Sequence, residues 1–209
     1  MKKITNCISL IALLLTFVLF FSSCQKETTA PNSTEEQANA FEANREPVNR
    51  AWRDSFDTWY QFIPDLANGW TPPNPAPAWY PGGGDGNATH MGNASTYFNQ
   101  YATLGPTGLT TSFAPVTMFF ATQLAAFNVP ATVGSIVFDD KGNSVWFRVV
   151  GSTQATPVSP TRVNFTGTNN IVGGTGKFAG ATGQVTINGY FNPQNQQDAS
   201  FWQNGWISY

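Results

Sequence analysis

Cysteine, histidine and charge are all scarce in this chain. Of its 209 residues two are cysteines, Cys7 and Cys24, and one is a histidine, His90. Without a cysteine beyond Cys24, the folded part can form neither a disulfide nor a thiolate metal site, and a single histidine excludes a multi-histidine metal centre. No metal and no cofactor is therefore expected.

The charged side chains are too few to form a basic patch. From Leu66 to Tyr209 there are four acidic and four basic residues. Nucleic acid is excluded as a partner, because binding to it depends mainly on neutralised phosphates. A surface with so little charge must be covered by Asn, Thr, Ser, Gln and Gly, as is typical of an extracellular β-domain.

The first residues have the pattern of an export signal. Met1-Lys2-Lys3 is basic and is followed by an apolar run, residues 8–21, that is too short to span a membrane comfortably. Phe21-Ser22-Ser23-Cys24 resembles a bacterial lipobox, which implies cleavage before Cys24 and lipid on that cysteine. The alternative is an ordinary cysteine just past a standard cleavage site. We therefore expect a lipoprotein signal peptide over residues 1–23.

Residues 24–50 are polar and poor in aromatic side chains, which predicts a flexible tether ahead of a domain over residues 51–209. Gln25-Lys26-Glu27 resembles the short Lys-acidic signal that sends lipoproteins of the Bacteroidetes type to the outer face of the outer membrane. Without Lys2 and Lys3 the chain has eight basic and twelve acidic residues, a net charge of −4. Anionic headgroups would not attract it, so membrane attachment depends on the lipid at Cys24. The oligomeric state is not indicated.

The domain is predicted to be mainly β. Alternating apolar residues and turn residues predict strands over 51–63, 87–98 with a kink at Gly92, 135–138, 144–150, 163–172, 184–191 and 199–209. The proline-rich and glycine-rich residues 66–86 predict an irregular loop. Apolar positions from Pro115 to Phe127 predict an amphipathic helix of about three turns. The pattern favours a single antiparallel, closed or nearly closed β-barrel with one short helix packed at an end.

A cluster of glycines predicts a tight corner between two strands of this barrel. Glycine reaches positive φ and allows close backbone approach at no steric cost, but it lowers stability where neither is needed. The corner is assigned to Gly173, Gly174, Gly176, Gly180 and Gly183.

This glycine element is similar to the corner of small secreted bacterial barrels related to the allene oxide cyclase and dirigent families. Residues 86–92, 140–143 and 205–209 resemble, in the same order, the second strand, central hairpin and closing strand of those barrels. The resemblance implies a lumen glutamate with a bound water in the cyclases, but this chain has no Glu after Glu46. It implies acidic and basic pocket residues in dirigent proteins, for which Asp139, Asp140 and Arg148 qualify by type alone.

Two kinds of residue are candidates for ligand binding. One is the aromatic residues of the loop, which the strands do not require, and the other is residues on predicted strands whose side chains end in a polar group. They are the polar residues His90, Tyr97 and Arg148 and the aromatic residues Trp70 and Trp79 of the loop. The alternative interpretation of His90 is a hydrogen-bonded residue at a strand end. The alternative for the two tryptophans is that they pack over the core. Asp139 and Asp140 are turn residues or, alternatively, Ca²⁺ ligands with Asn143.

These features favour a non-catalytic, lipid-anchored surface protein that binds a small apolar or aromatic ligand, or a partner, at the barrel mouth near residues 66–86 and 115–127. The alternative is a cofactor-free isomerase or cyclase that shapes its substrate inside the barrel. A lumen cluster of His90, an Asp and a Tyr would favour the enzyme.

Overall fold

A computed structural model describes residues 48–106 and 108–209. The predicted signal peptide, Cys24 and the tether as far as residue 47 lie outside the described residues. The first strand begins at Asn49, two residues ahead of the predicted start of the domain.

Antiparallel strands dominate the described ranges, where thirteen of them form one sheet. They are β1 (Asn49–Tyr60), β2 (Ile63–Pro64), β3 (Ala78–Trp79), β4 (Gly82–Ala88), β5 (Gly92–Phe98), β6 (Gln100–Gly105), β7 (Gly108–Phe113), β8 (Ser135–Phe138), β9 (Ser144–Val149), β10 (Ser152–Ser159), β11 (Arg162–Thr175), β12 (Thr182–Asn192) and β13 (Asn195–Ser208). The helical segments of the same ranges are α1 (Thr117–Phe120) and 3-10 turns at Leu66–Asn68, Ala125–Phe127 and Gly176–Phe178.

Eight of these strands close into a barrel. The wall runs β12, β13, β1, β4, β5, β8, β9 and β11, and β11 pairs with β12 over Val163–Ile171 to complete the ring. Closure pairs both edges of every strand, which removes the exposed edges of an open sheet. The predicted fold class, a mainly β chain with one antiparallel barrel and one short helix, is confirmed.

The wall continues beyond the ring at one end. Strand β6 follows β5 after one residue, β10 follows β9 after two, and β7 pairs with both β6 and β10. At this end β7 therefore lies between β6 and β10, just as β8 lies between β5 and β9 further along the barrel. We call this the open end.

Side chains alternate between the lumen and the outer surface, as the pleat of a strand requires. In β1 every second residue from Trp52 to Phe56 and on to Tyr60 is buried. At the opposite end from β6, β7 and β10, which we call the packed end, the lumen is filled by Trp52, Phe147, Phe178 and Ile207, none more than 1% exposed.

The segment between β7 and β8 leaves the wall and packs on its outside. Its buried residues Val116, Phe120 and Leu124 contact outward side chains of the barrel, including Trp59 and Tyr97. The predicted helix of three turns is shorter in the structure, where α1 has four residues, the 3-10 turn at Ala125–Phe127 has three, and neither has a side-chain cap. Packing of the apolar residues, rather than helix propensity, holds this segment.

Two predictions about local structure are wrong. The predicted loop 66–86 contains β3 and the first part of β4, and Gly82, Gly84 and Gly86 lie opposite Tyr60, Thr58 and Phe56 of β1. A Cβ at Gly82 would meet the Phe98 ring, so the glycines leave room inside the lumen.

The predicted kinked strand 87–98 is a hairpin. Strand β4 ends at Ala88 and β5 begins at Gly92, and these two residues pair across the turn. The turn forms because His90 and Gly92 both have positive φ, 68° and 81°. Gly92 therefore begins a new strand and does not bend an existing one.

Candidate ligand cavity

A cavity lies inside the barrel at the open end. It is bounded by β1, β7 and the inward faces of β10 to β13, and its free volume is about 90 Å³. Most of its walls are apolar side chains, Phe98, Leu109, Phe113, Val149, Ala155, Phe165, Ile187, Phe191, Ala199 and Phe201. The barrel is therefore hollow at one end and packed at the other.

Polar side chains interrupt this apolar wall, and they include Thr58, Gln100, Thr111, Thr153, Asn169 and Gln203. Asn99 and Gln203 are each 2% exposed and line the cavity. Asn99 follows β5, and its Nδ2 donates to the Pro115 carbonyl at 3.0 Å, which fixes the amide. Neither Asn99 Oδ1 nor Gln203 Oε1 has a hydrogen-bond partner among the described residues. Leaving such an acceptor unsatisfied costs about 1–3 kcal/mol. Gln203 lies in the inward phase of β13, so its acceptor favours a donor from a molecule in the lumen, whereas the Asn99 amide is directed to the outer segment.

The two tyrosines on the cavity wall are neutral. Tyr60 donates its hydroxyl to the Asn192 carbonyl at 2.8 Å, and Tyr80 donates to the Pro75 carbonyl at 2.8 Å. Burial raises the pKa of Tyr60 to about 12, and burial together with Tyr60 raises that of Tyr80. Among the described residues, those that line the cavity include no Asp, Glu, Lys or Arg.

A carboxyl group lies behind this wall. Asp54 is on the inward face of β1, where its Oδ2 accepts from Trp52 Nε1 at 2.9 Å and its Oδ1 accepts from the backbone nitrogen of Gln203 at 3.0 Å. Burial raises the pKa of Asp54 to about 7, against the opposing effect of these two hydrogen bonds. Asp54 thus changes protonation near neutral pH, and Gln203 connects it to the cavity.

The structure does not bring the predicted polar anchors together. His90 is exposed in the β4–β5 turn, where its Nε2 lies 3.2 Å from the Ala51 carbonyl and its ring contacts Tyr209 at the packed end. Tyr97 is on the outer face, stacked on Phe120 with ring centroids 4.5 Å apart. Arg148 is exposed, with its guanidinium over the Phe113 ring at 4.8 Å.

The two tryptophans of the loop pack on neighbouring rings. Trp70 lies against Phe62 with centroids 5.8 Å apart and donates to the Asn74 carbonyl. Trp79 contacts Tyr101 at 4.4 Å. Neither residue lines the cavity, whereas Tyr80 of the same loop does. The cluster of His90, an Asp and a Tyr that would favour an enzyme does not form.

The glycine corner closes the packed end. Gly176 and Gly180 have φ values of 61° and 74°, and between them the 3-10 turn places Phe178 in the lumen, 0% exposed. Asn143 Oδ1 accepts from the Lys177 amide nitrogen at 3.0 Å, which attaches the corner to the β8–β9 turn. The corner therefore determines which end of the barrel is packed.

Asp139 is held within the β8–β9 turn. Its Oδ1 accepts from the amide nitrogens of Lys141 and Asn143, both at 2.9 Å. Burial would raise the pKa of Asp139, but these hydrogen bonds and that from the Asn143 side chain lower it below its usual value. No group of three His, Cys, Asp or Glu side chains that could hold a metal occurs within residues 48–106 and 108–209.

Asp54, Asn99 and Gln203 are the residues that the sequence analysis missed. Asp54 shares the buried alternation of Trp52 and Phe56, and Gln203 shares that of Phe201 and Ile207. The sequence could have indicated both residues, because each is a polar residue at a position that alternates in step with large apolar residues. Asn99 carried no such signal, because it lies between two strands.

Comparison with solved structures gives a likeness in fold. The chain is similar to the pterocarpan synthase dirigent protein GePTS1, with a TM-score of 0.46 and 10% sequence identity over 79% of this chain and 87% of that chain. No protein-family model matches the chain, and no curated protein sequence matches it significantly.

Among the residues that the structure describes, no helix has the length and apolar character needed to cross a membrane.

Proposed function

We propose that this chain is an exported, lipid-anchored protein whose barrel binds a small neutral ligand without catalysis. The ligand has an apolar body and at least one hydrogen-bond donor. The observation that carries the proposal is the unsatisfied acceptor Gln203 Oε1 on a cavity wall that is mainly, though not entirely, apolar. Ligand sites are typically apolar with a few polar groups that set orientation.

The size of the cavity limits what it holds. A dry engineered cavity of about 150 Å³ binds benzene, whereas this cavity is smaller, with about 90 Å³. We infer that one polar end of the ligand enters the lumen and that its remainder lies at the mouth. There it would contact Tyr80 and Phe113, beside the loop and the outer segment that the sequence analysis assigned to the entrance.

Matched ligands test the role of the acceptor. Titration calorimetry should show that 4-ethylphenol binds at least about tenfold more tightly than 4-ethylanisole, which lacks the donor, because about 1.4 kcal/mol corresponds to tenfold. Gln203→Met should remove most of this preference, while Asn204→Ala, an exposed neighbour on the same strand, should retain it. Equal binding of both ligands to the wild type, or no saturable binding of either, would contradict the proposal.

Asp54 favours a second candidate, a cofactor-free isomerase or cyclase. A buried carboxyl with a pKa of about 7 is suited to proton transfer near neutral pH. Compounds that bind the wild type would be incubated with it and followed by mass spectrometry and NMR. Conversion that is lost in Asp54→Asn while binding is retained would support this candidate, and binding without any conversion would exclude it.

Lipid attachment is supported by the apolar run that ends at Ser22-Ser23-Cys24. Mass spectrometry of the membrane fraction should find a diacylated N-terminal Cys24, and protease treatment of intact cells should reveal its exposure at the surface. Cys24→Ala should move the protein out of the membrane fraction, whereas Cys7→Ala, within the signal, should not. Unchanged membrane partition of Cys24→Ala would contradict the anchor.

A further inference from the structure

A second groove lies on the outer face of the barrel, away from the lumen. Gln154, Thr166, Asn188 and Trp202 come from β10, β11, β12 and β13 and pair in register across the four strands. Together with Thr156, Asn164 and Arg162 they line a groove of about 210 Å³. The proposed function does not use this site.

An exposed indole forms one wall of the groove. Trp202 is 45% exposed, although most large aromatic residues in this protein are packed on other rings. The face of an indole carries negative charge density and attracts the weakly positive C–H groups of a flat apolar surface. A pyranose ring presents such C–H groups on one face and hydroxyl groups around its edge.

The polar side chains of the groove are held in place by one another. Thr166 Oγ1 donates to Asn188 Oδ1 at 2.9 Å, which leaves the Asn188 Nδ2 hydrogens for a bound molecule. Arg162 Nε donates to Asn164 Oδ1 at 3.0 Å, and the guanidinium lies over the Tyr190 ring at 4.0 Å. Ordered donors beside an aromatic wall lose little conformational entropy when they bind hydroxyl oxygens.

The charge of the groove decides between classes of partner. Among the described residues that line it, Arg162 alone is ionised, and Asn164 accepts from its Nε only. A polyanion would require several cations. Amides and hydroxyls can both donate and accept hydrogen bonds, as sugar hydroxyls do. We propose that this groove binds a neutral glycan, with a pyranose ring stacked on Trp202 and its hydroxyls bonded by Asn188 and Arg162.

Affinity electrophoresis of the mature chain tests the proposal, with soluble xyloglucan, mixed-linkage β-glucan and galactomannan as neutral probes and polygalacturonate as the anionic probe. At least one neutral polysaccharide should retard the wild type saturably. Trp202→Ala should weaken that binding by about tenfold or more, as is typical when a central aromatic contact is removed. Asn188→Ala should also weaken it.

Trp206→Ala is the matched control, because Trp206 lies on the same strand and face, is 44% exposed and does not line the groove. Its binding should stay within twofold of the wild type, and equal melting temperatures should show that all variants are folded. The proposal is overturned if no neutral polysaccharide binds, if polygalacturonate alone binds, or if Trp202→Ala binds as the wild type does. Equal losses in both tryptophan variants would also overturn it, because they would indicate a diffuse aromatic surface.

Discussion

The two ends of the barrel lumen are built from the same alternating strands but are filled differently. At the packed end Trp52 contacts Phe147 and Phe178 at centroid distances of 6.0 and 6.1 Å, and Phe178 contacts Tyr209 at 4.7 Å. At the open end Gln203 lines a cavity and keeps an acceptor without a partner among the described residues. The strands determine the barrel, and the segments at its rims determine which end is filled.

The packed end is filled because its rim is a glycine corner that places a phenylalanine inside. The rim of the open end consists of β6, β7 and β10, which extend the wall. Leu109 and Phe113 of β7 line the lumen there but leave a cavity between them and the other strands. Stability should therefore be concentrated at the packed end and binding at the open end. Four experiments can break or sharpen this division.

The largest effect is expected from Phe178→Ala. Removal of a fully buried phenylalanine typically lowers the free energy of unfolding by about 3–5 kcal/mol, through lost transfer energy and a new cavity. Phe191→Ala, at the edge of the existing cavity, should have less than half that effect. Urea denaturation measures both. Equal losses for the two variants would mean that stability is not concentrated at the packed end.

Asp54 lies between the two ends and should make stability depend on pH. With its pKa raised to about 7 in the folded protein and 3.8 in the unfolded chain, the folded protein keeps a proton that the unfolded chain releases. This contribution to stability is fully present below pH 3.8 and is lost as pH rises through 7. The slope is at most about 1.4 kcal/mol per pH unit.

Urea denaturation of the wild type and Asp54→Asn from pH 4 to 8 isolates this effect, because the other carboxyl groups contribute equally to both. The wild type should lose stability relative to the variant as pH rises. Asp57→Asn, at an exposed position of the same strand, is the control, and its free energy of unfolding should change with pH as that of the wild type does. A constant difference between the wild type and Asp54→Asn would show that the carboxyl does not titrate in this range.

Alanine should be destabilising at Gly176 and Gly180, the two glycines beside Phe178 that have left-handed backbone conformations. Gly180→Ala should lower the free energy of unfolding by about 1–2 kcal/mol from backbone strain alone, because φ is 74° and the surrounding space is open. Gly176→Ala should lower it further, since its Cβ would also meet Asn143 Oδ1. Gly105→Ala, in open space without positive φ, is the control. Unchanged melting temperatures for both corner variants would contradict this role.

The smallest effect, and one of opposite sign, is expected at the open end. Gln203→Met should raise the free energy of unfolding of the ligand-free protein by about 1 kcal/mol, because it removes an unsatisfied buried acceptor at similar volume. The same substitution should weaken ligand binding. A destabilised Gln203→Met would show that the glutamine side chain supports the fold, and the division between the two ends would then be less sharp.

The sequence predicted the strands of this barrel better than its interior. Strands β11, β12 and β13 lie where alternation placed them, because each has one buried face and turn residues at its ends. Gly82, Gly84 and Gly86 were assigned to a loop, since glycine is unfavourable in a strand by itself. Their position opposite β1 depends on the pairing of two strands, and the residues around the glycines do not encode that pairing.

The candidate site shows the same limit. His90, Tyr97 and Arg148 were selected because they lie on predicted strands and have polar tips, but strand membership does not say which face points inward. Asp54 and Gln203 are adjacent across β1 and β13 and meet in the lumen only through that register. Their hydrogen bond joins residues 149 positions apart in sequence.

By itself the sequence determined a mainly β chain closed by a glycine corner, because alternation and backbone freedom are local properties of neighbouring residues. It also predicts the lipid anchor, through a short motif at Cys24. Only the tertiary structure decided that one end of the lumen is packed and the other hollow. That outcome depends on strand register and on which rim inserts a side chain, and both are set by contacts between residues far apart in the chain.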